Sequence, residues 1–121
     1  YMEYKFDNER PIYLQLVEIL KIEIISGRIK VGDKLLSVRD YANEFKVNPN
    51  TMQKALLELE REKLIYTERT NGKYVTSDTK LINELKEVLA CNLTKKYIND
   101  MLDIGVNKSS IIDYLKKEGN D

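Results

Sequence analysis

The chain has 121 residues, of which 42% are hydrophobic and 33% charged, enough for one compact domain with a small appendage. Its 20 basic and 20 acidic side chains cancel. This argues against a protein that coats nucleic acid by bulk charge, so any DNA affinity must come from a local patch. One cysteine and no histidine exclude an intramolecular disulfide, a zinc site and a Ser-His or Cys-His catalytic centre. We therefore expect no enzyme, no metal and no cofactor; without a signal peptide or a long apolar run, we expect a cytoplasmic location away from membranes.

Two helices are predicted in the first part of the chain. Pro11 opens the first, whose wide apolar face includes a stripe of Tyr13, Val17, Leu20 and Ile24. Gly27 ends this helix, because a left-handed cap costs glycine least. Ser37 begins the second helix, with Asp40 three residues later as its capping partner.

The third predicted helix begins at Asn48-Pro49, a capping side chain followed by a residue suited to the first turn. No acidic residue occurs between Phe45 and Leu57. The polar face opens with four hydrogen-bond donors: Asn50, Thr51, Gln53 and Lys54. Such a helix, after a short helix and a tight turn, is typical of a helix-turn-helix that enters the major groove. The alternative is an ordinary solvated amphipathic helix.

A β-hairpin is predicted next, because Thr70-Asn71-Gly72 separates two β-favouring runs at 64–69 and 73–76. Directly after a helix-turn-helix, this hairpin would be a wing. Four residues at its tip are candidates for DNA contact: Arg69, Asn71, Gly72 and Lys73. The alternative is a hairpin with a solvated tip.

The remaining chain is predicted to form a long helix over 80–104, broken at Gly105, and a short helix capped by Asn107. The apolar stripe of the long helix extends about 33 Å at 1.5 Å per residue, more than a small winged domain can cover. We expect the last helix and a second copy of the chain to cover it, with a monomer as the alternative. The predicted dimerisation residues are Ile82, Leu85, Leu89, Leu93, Tyr97, Met101, Ile112 and Leu115. Cys91 is predicted to be buried in this pattern.

Several segments also match a known family. SGRIKVGDKL, SVR, VNPNT and RTNGKYV lie between Pro11 and Val75, and together they resemble the winged helix-turn-helix domain of the GntR family. The short tail is similar to that of the YtrA subfamily, in which two helices replace a large effector domain and mediate dimerisation. The resemblance implies a homodimeric transcription regulator, usually a repressor, that binds a pseudo-palindromic operator and often controls an operon with an ABC transporter.

The resemblance also assigns residues. Arg39 falls on the arginine of the family's SxR motif, Asn48, Asn50 and Thr51 on the start of the recognition helix, and Gly72 on the wing-tip glycine. Two positions depart from the family. Leu36 stands where proline is common before the second helix, and Gln53 stands where an arginine is common, which favours adenine over guanine.

The sequence thus predicts a mainly α-helical fold with a small β-hairpin (α+β). A winged helix-turn-helix domain spans 2–78, and a two-helix dimerisation tail spans 79–121. The expected partners are double-stranded operator DNA, a second copy, and an unidentified small-molecule effector at the junction of tail and winged domain. The alternative is a winged protein–protein interaction module without DNA affinity, whose long helix pairs with a different protein.

Overall fold

The computed structural model describes residues 5–119, which form five α-helices and one two-stranded sheet. The elements are α1 Ile12–Ile25, α2 Val38–Phe45, α3 Pro49–Arg61, β1 Ile65–Glu68, β2 Gly72–Val75, α4 Thr79–Asp103 and α5 Lys108–Gly119. The chain divides into two compact units: residues up to Asn83, the winged unit, and residues from Glu84, the tail unit. The first turn of α4 belongs to the winged unit, a few residues beyond the predicted domain boundary. The predicted fold class, mainly helical with a small hairpin, is confirmed.

Local capping fixes the starts of α2 and α3 where the sequence predicted them. The hydroxyl of Ser37 accepts the N–H of Asp40 at 3.1 Å, and the side-chain carbonyl of Asn48 accepts the N–H of Asn50 at 2.7 Å. Between the two helices Lys46 adopts a left-handed conformation (φ 56°). These local contacts set the tight turn of the helix-turn-helix.

The core of the winged unit lies between its three helices and the hairpin. Its largest fully buried side chains are Leu16, Leu20, Met52, Leu56, Leu59, Leu64, Ile65 and Val75. Helices α1 and α3 lie side by side, and the Lys21 ammonium meets the Glu62 carboxylate at 2.7 Å. Because α3 packs through this buried side, its opposite side is free for other contacts.

The hairpin pairs Ile65 with Val75 and Glu68 with Gly72, so Gly72 lies within β2 rather than in the turn. A third segment joins it: the N–H of Gly32 donates to Val75 at 3.1 Å, and the N–H of Leu35 donates to Lys73 at 2.8 Å. The sequence analysis did not predict this pairing. This pairing ties the base and the tip of the hairpin to the segment that leads into α2.

The tail unit consists of the rest of α4, a turn at Gly105 (φ 89°) and α5. The Asn107 side chain caps α5 by accepting the N–H of Ser110 at 2.9 Å, as predicted. Among residues 84–119, Ile111 is the one buried apolar side chain. Of the helices in the described part of the chain, none has the length and apolarity to cross a membrane.

Two residues of α4 differ from their predicted environments. Ile82, assigned to the dimer interface, belongs to the winged unit and is only 6% exposed within a single chain, so a second copy would not reach it. Cys91, predicted to be buried, is exposed. It lies two residues from Leu93, and two residues on a helix differ by about 200°, so Cys91 lies away from the apolar stripe.

Candidate nucleic-acid interface

The outward side of α3 carries the residues predicted to read DNA. Four apolar side chains face the core (Met52, Ala55, Leu56 and Leu59) and so turn Asn50 and Lys54 to the opposite side, where both are exposed. Thr51 and Gln53 are half-buried at its flanks. Within residues 5–119, the side chains of Asn50, Thr51 and Gln53 make no hydrogen bonds, so their polar groups are available to base edges.

Arg39 is the second residue of α2, and its side chain is exposed. Asp40 and Glu44 lie close enough in sequence to form a salt bridge with it. Across the described part of the chain, Arg39 takes part in no ion pair. Its guanidinium therefore remains available for a phosphate or a base edge.

Lys54 contacts Tyr13, a residue that the sequence analysis assigned to the apolar face of the first helix. Its ammonium lies 4.0 Å from the centroid of the Tyr13 ring, on the first turn of α1. This distance is typical of a cation–π contact. Tyr13 is half-buried, so the predicted apolar stripe of α1 ends in a side chain that is shared between the core and the outer surface.

Lys73 was predicted to contact DNA from the wing tip, but its ammonium lies beside residues of α3 and β1 instead. Its ammonium lies 2.9 Å from the Thr67 hydroxyl and 3.7 Å from a carboxylate oxygen of Glu60, and Thr67 in turn donates to Glu60. Lys73 pairs with Thr67 across the hairpin, and residues paired in this way lie on the same face of a sheet. We call Glu60, Thr67 and Lys73 the Glu60 cluster, which joins the wing to α3. The contacts among its members were not predicted, because α3 and the hairpin come together only in the folded chain.

The wing tip itself is open. Arg69 and Asn71 are exposed, and within residues 5–119 neither is part of an ion pair or a side-chain hydrogen bond. Gly72 has φ 101°, and a Cβ placed there would lie 3.4 Å from the Lys34 side chain. A groove of about 320 Å³ separates the tip from the start of α2 and is lined by Lys34, Leu35, Leu36, Ser37, Val38, Asn71, Gly72 and Lys73. Lys34 was not predicted; as a cation at this groove, it can contribute to backbone binding.

The acidic side chains at the end of α3 and at its cap are neutralised. The Glu60 carboxylate faces Lys73, the Glu62 carboxylate faces Lys21, and the Glu58 carboxylate accepts hydrogen bonds from Arg61. The hydrogen bonds from Arg61 lower the pKa of the Glu58 carboxyl. The carboxylates of α3 and its cap therefore do not cancel the positive charge of Lys54 on the outward side of the helix, although the net charge of the chain is zero.

Three helices, a capped tight turn and a hairpin joined to the third helix define a winged helix-turn-helix protein. Residues 12–75 match the family model for "Bacterial regulatory proteins, gntR family". The chain belongs to the GntR family.

Individual relatives agree with this assignment. The chain is 37% identical over 108 residues to the HTH-type transcriptional repressor YtrA of Bacillus subtilis, covering 88% of this chain and 83% of that protein. It is 46% identical to a GntR family transcriptional regulator from Listeria monocytogenes, whose structure superposes with a TM-score of 0.83 over 93% of this chain and 98% of that one. The structure of AraR(DBD) in complex with operator ORE1 is 25% identical, with a TM-score of 0.54 over 62% of this chain and 94% of that one.

These comparisons confirm the resemblance to the GntR family and to YtrA. The protein is a DNA-binding transcription regulator and not an enzyme.

Proposed function

We propose that the protein is a homodimeric, operator-specific repressor whose DNA-binding surface combines the start of α3, Arg39 and the wing tip. The observation that carries this proposal is the pairing of charges on α3. Its acidic residues are neutralised within the fold, while the cation of Arg39 and the polar groups of Asn50 and Gln53 are left unpaired among the described residues. A surface of this kind attracts phosphates and presents donors to base edges. The YtrA relative is named as a repressor, and the AraR domain is bound to an operator; both support the proposal.

Each part of this surface would have a different role. Asn50, Thr51 and Gln53 would lie in the major groove, where an amide suits adenine, with Asn48 at the helix entrance. Arg39 would meet a phosphate or a base edge beside them. Arg69, Asn71 and Gly72 would follow the DNA backbone or enter the minor groove. Lys73 would support the wing through Glu60 rather than touch DNA.

The tail unit supports the proposed dimer. Leu93 is 67% exposed and Leu115 is 55% exposed, and an apolar groove of about 370 Å³ between α4 and α5 includes Tyr97, Met101 and Ile104. A second copy would cover this surface, and the half-buried Leu85 and Leu89 could extend it along α4. A two-fold axis would then present two recognition helices, as a pseudo-palindromic operator requires.

The proposed location is cytoplasmic. The proposed target is a transporter-type operon, an expectation that rests on the resemblance to the YtrA subfamily. A small-molecule effector likewise stays a prediction. Neither is needed to test DNA binding.

The test is fluorescence anisotropy with the DNA upstream of the protein's own gene and with a scrambled duplex. We expect preferential binding to the upstream duplex that survives moderate salt. Arg39→Ala should weaken it by about 1–3 kcal/mol, roughly 5- to 150-fold. Arg28→Ala is the matched control. Arg28 is also an exposed arginine, but it lies after the end of α1 and forms an ion pair with Glu23.

Equal losses in Arg39→Ala and Arg28→Ala would contradict the role of Arg39, since both variants remove one positive charge. Absence of binding to either duplex would contradict the proposed operator function. It would direct the search toward a protein partner of the winged unit.

A further inference from the structure

Helices α1 and α3 are in contact at two corresponding points. Tyr13 contacts Lys54, and Lys21 contacts Glu62 at the C-cap of α3, so the two contacts are eight positions apart along both segments. The two helices therefore run alongside each other in the same direction. The Tyr13 contact lies at the second turn of α3, next to the residues proposed to read DNA, and the Lys21 contact lies at the C-cap of α3.

The Tyr13 ring limits where the Lys54 charge can go. A lysine has a flexible four-carbon stem and a compact charge, so an exposed lysine samples a wide volume. The acidic neighbour one turn along α3, Glu58, is occupied by Arg61 and does not compete for the ammonium. Over the ring, the ammonium stays on the α1 side of the recognition helix, and its N–H groups that point away from the ring remain free to donate.

We propose that Tyr13 is a positioning residue of the DNA interface: its ring holds the Lys54 ammonium at the edge of α3, where the charge meets a phosphate rather than a base. The inference deepens the proposed function, on which it rests. An ammonium at this edge matches a phosphate as a point charge. Lys54 thereby contributes affinity that is shared by all sequences, and sequence discrimination is left to Asn50 and Gln53.

The test uses the full chain with the substitutions Lys54→Met, Tyr13→Leu, Tyr13→Phe and the double variant Tyr13→Leu/Lys54→Met. Dissociation constants are measured on the upstream and the scrambled duplex over a range of salt concentrations. Lys54→Met should weaken binding to both duplexes by the same factor and reduce the slope of log affinity against log salt by about 1. Tyr13→Leu should weaken both roughly two- to fivefold, as expected for an exposed cation–π contact.

Two comparisons separate positioning from a general effect on folding. In the Lys54→Met background, Tyr13→Leu should have no further effect on DNA binding, and Tyr13→Phe, which keeps the ring, should recover most of the affinity lost in Tyr13→Leu. Lys21→Met is the matched control: it removes a lysine from the other contact between α1 and α3, so it should leave the salt slope unchanged. Additive losses in the double variant would overturn the proposal.

A measurement on the unsubstituted protein covers the case in which Tyr13→Leu does not fold. NMR should show ring-current shifts of the Lys54 side-chain protons, and these shifts should persist in the DNA complex. Their disappearance on binding would overturn the proposal. The proposed function would be contradicted by a different result, in which the unsubstituted protein does not prefer the upstream duplex. If the protein does prefer that duplex but the losses in the double variant are additive, only the role of Tyr13 is refuted.

Discussion

The winged unit and the tail unit are both rich in aliphatic residues, but they bury them differently. In the winged unit Leu16, Leu56 and Leu59 are fully buried, because α1, α2 and the hairpin all pack against α3. In the tail unit Ile104 and Leu93 are 74% and 67% exposed. Two helices can cover only one side of each other. An apolar periodicity therefore predicts that one face of a helix will be buried. Whether the same chain buries that face depends on how many other elements of the chain pack against the helix.

The largest expected effect concerns the core of the winged unit. Leu56→Ala removes a fully buried side chain, and the cavity should lower the free energy of unfolding by about 2–5 kcal/mol. Chemical denaturation of the full chain measures this loss. Leu57→Ala is the control, because Leu57 is the next residue and is 49% exposed. A similar loss in both variants would mean that α3 is not packed as described.

The next effect concerns the exposed stripe of the tail unit. Leu93→Asp places a charge in the proposed dimer interface and should shift the protein from dimer to monomer in sedimentation equilibrium. Affinity for the operator should fall at least tenfold, on the order of what is lost when two linked half-sites bind independently. Cys91→Asp adds the same charge to the exposed side of α4 away from the stripe and should leave the dimer intact. Dissociation in both variants, or in neither, would argue against this surface.

The smallest effect concerns the contact between wing and α3. Glu60→Gln removes the charge that faces Lys73 and should release the wing. We expect DNA affinity to fall roughly two- to fivefold, the order of one weak ion pair. Glu68→Gln removes an equally negative charge from the same hairpin, where Glu68 is exposed and, within residues 5–119, takes part in no ion pair. Removing a negative charge favours DNA binding by itself in both variants. A role for Glu60 is therefore supported only if Glu60→Gln binds DNA more weakly than Glu68→Gln.

Local signals in the sequence predicted most of the fold. Ser37 and Asn48 satisfy N–H groups two or three residues away, and Asn71-Gly72 between two β-favouring runs indicates a hairpin, so each signal can be recognised without knowledge of the rest of the chain. The contacts of Lys54 and Lys73 depend on how α3 packs against α1 and the hairpin. The sequence likewise does not show whether Arg39 forms an ion pair, since two acidic residues lie close to it along the chain. The face occupied by Cys91, by contrast, followed from helical periodicity and could have been predicted correctly.

The pairing of residues 32–35 with β2 also bears on self-association of the folded chain. An unpaired strand edge offers its N–H and C=O groups to any other extended chain, and this is a common start of aggregation. In the described part of the chain, β2 is bonded on both sides, to β1 and to the segment at Asp33 and Leu35, which leaves the outer edge of β1. That edge is four residues long and ends in the charged Glu68. The hairpin of this regulator is in this way protected from joining the hairpins of other copies in an intermolecular sheet.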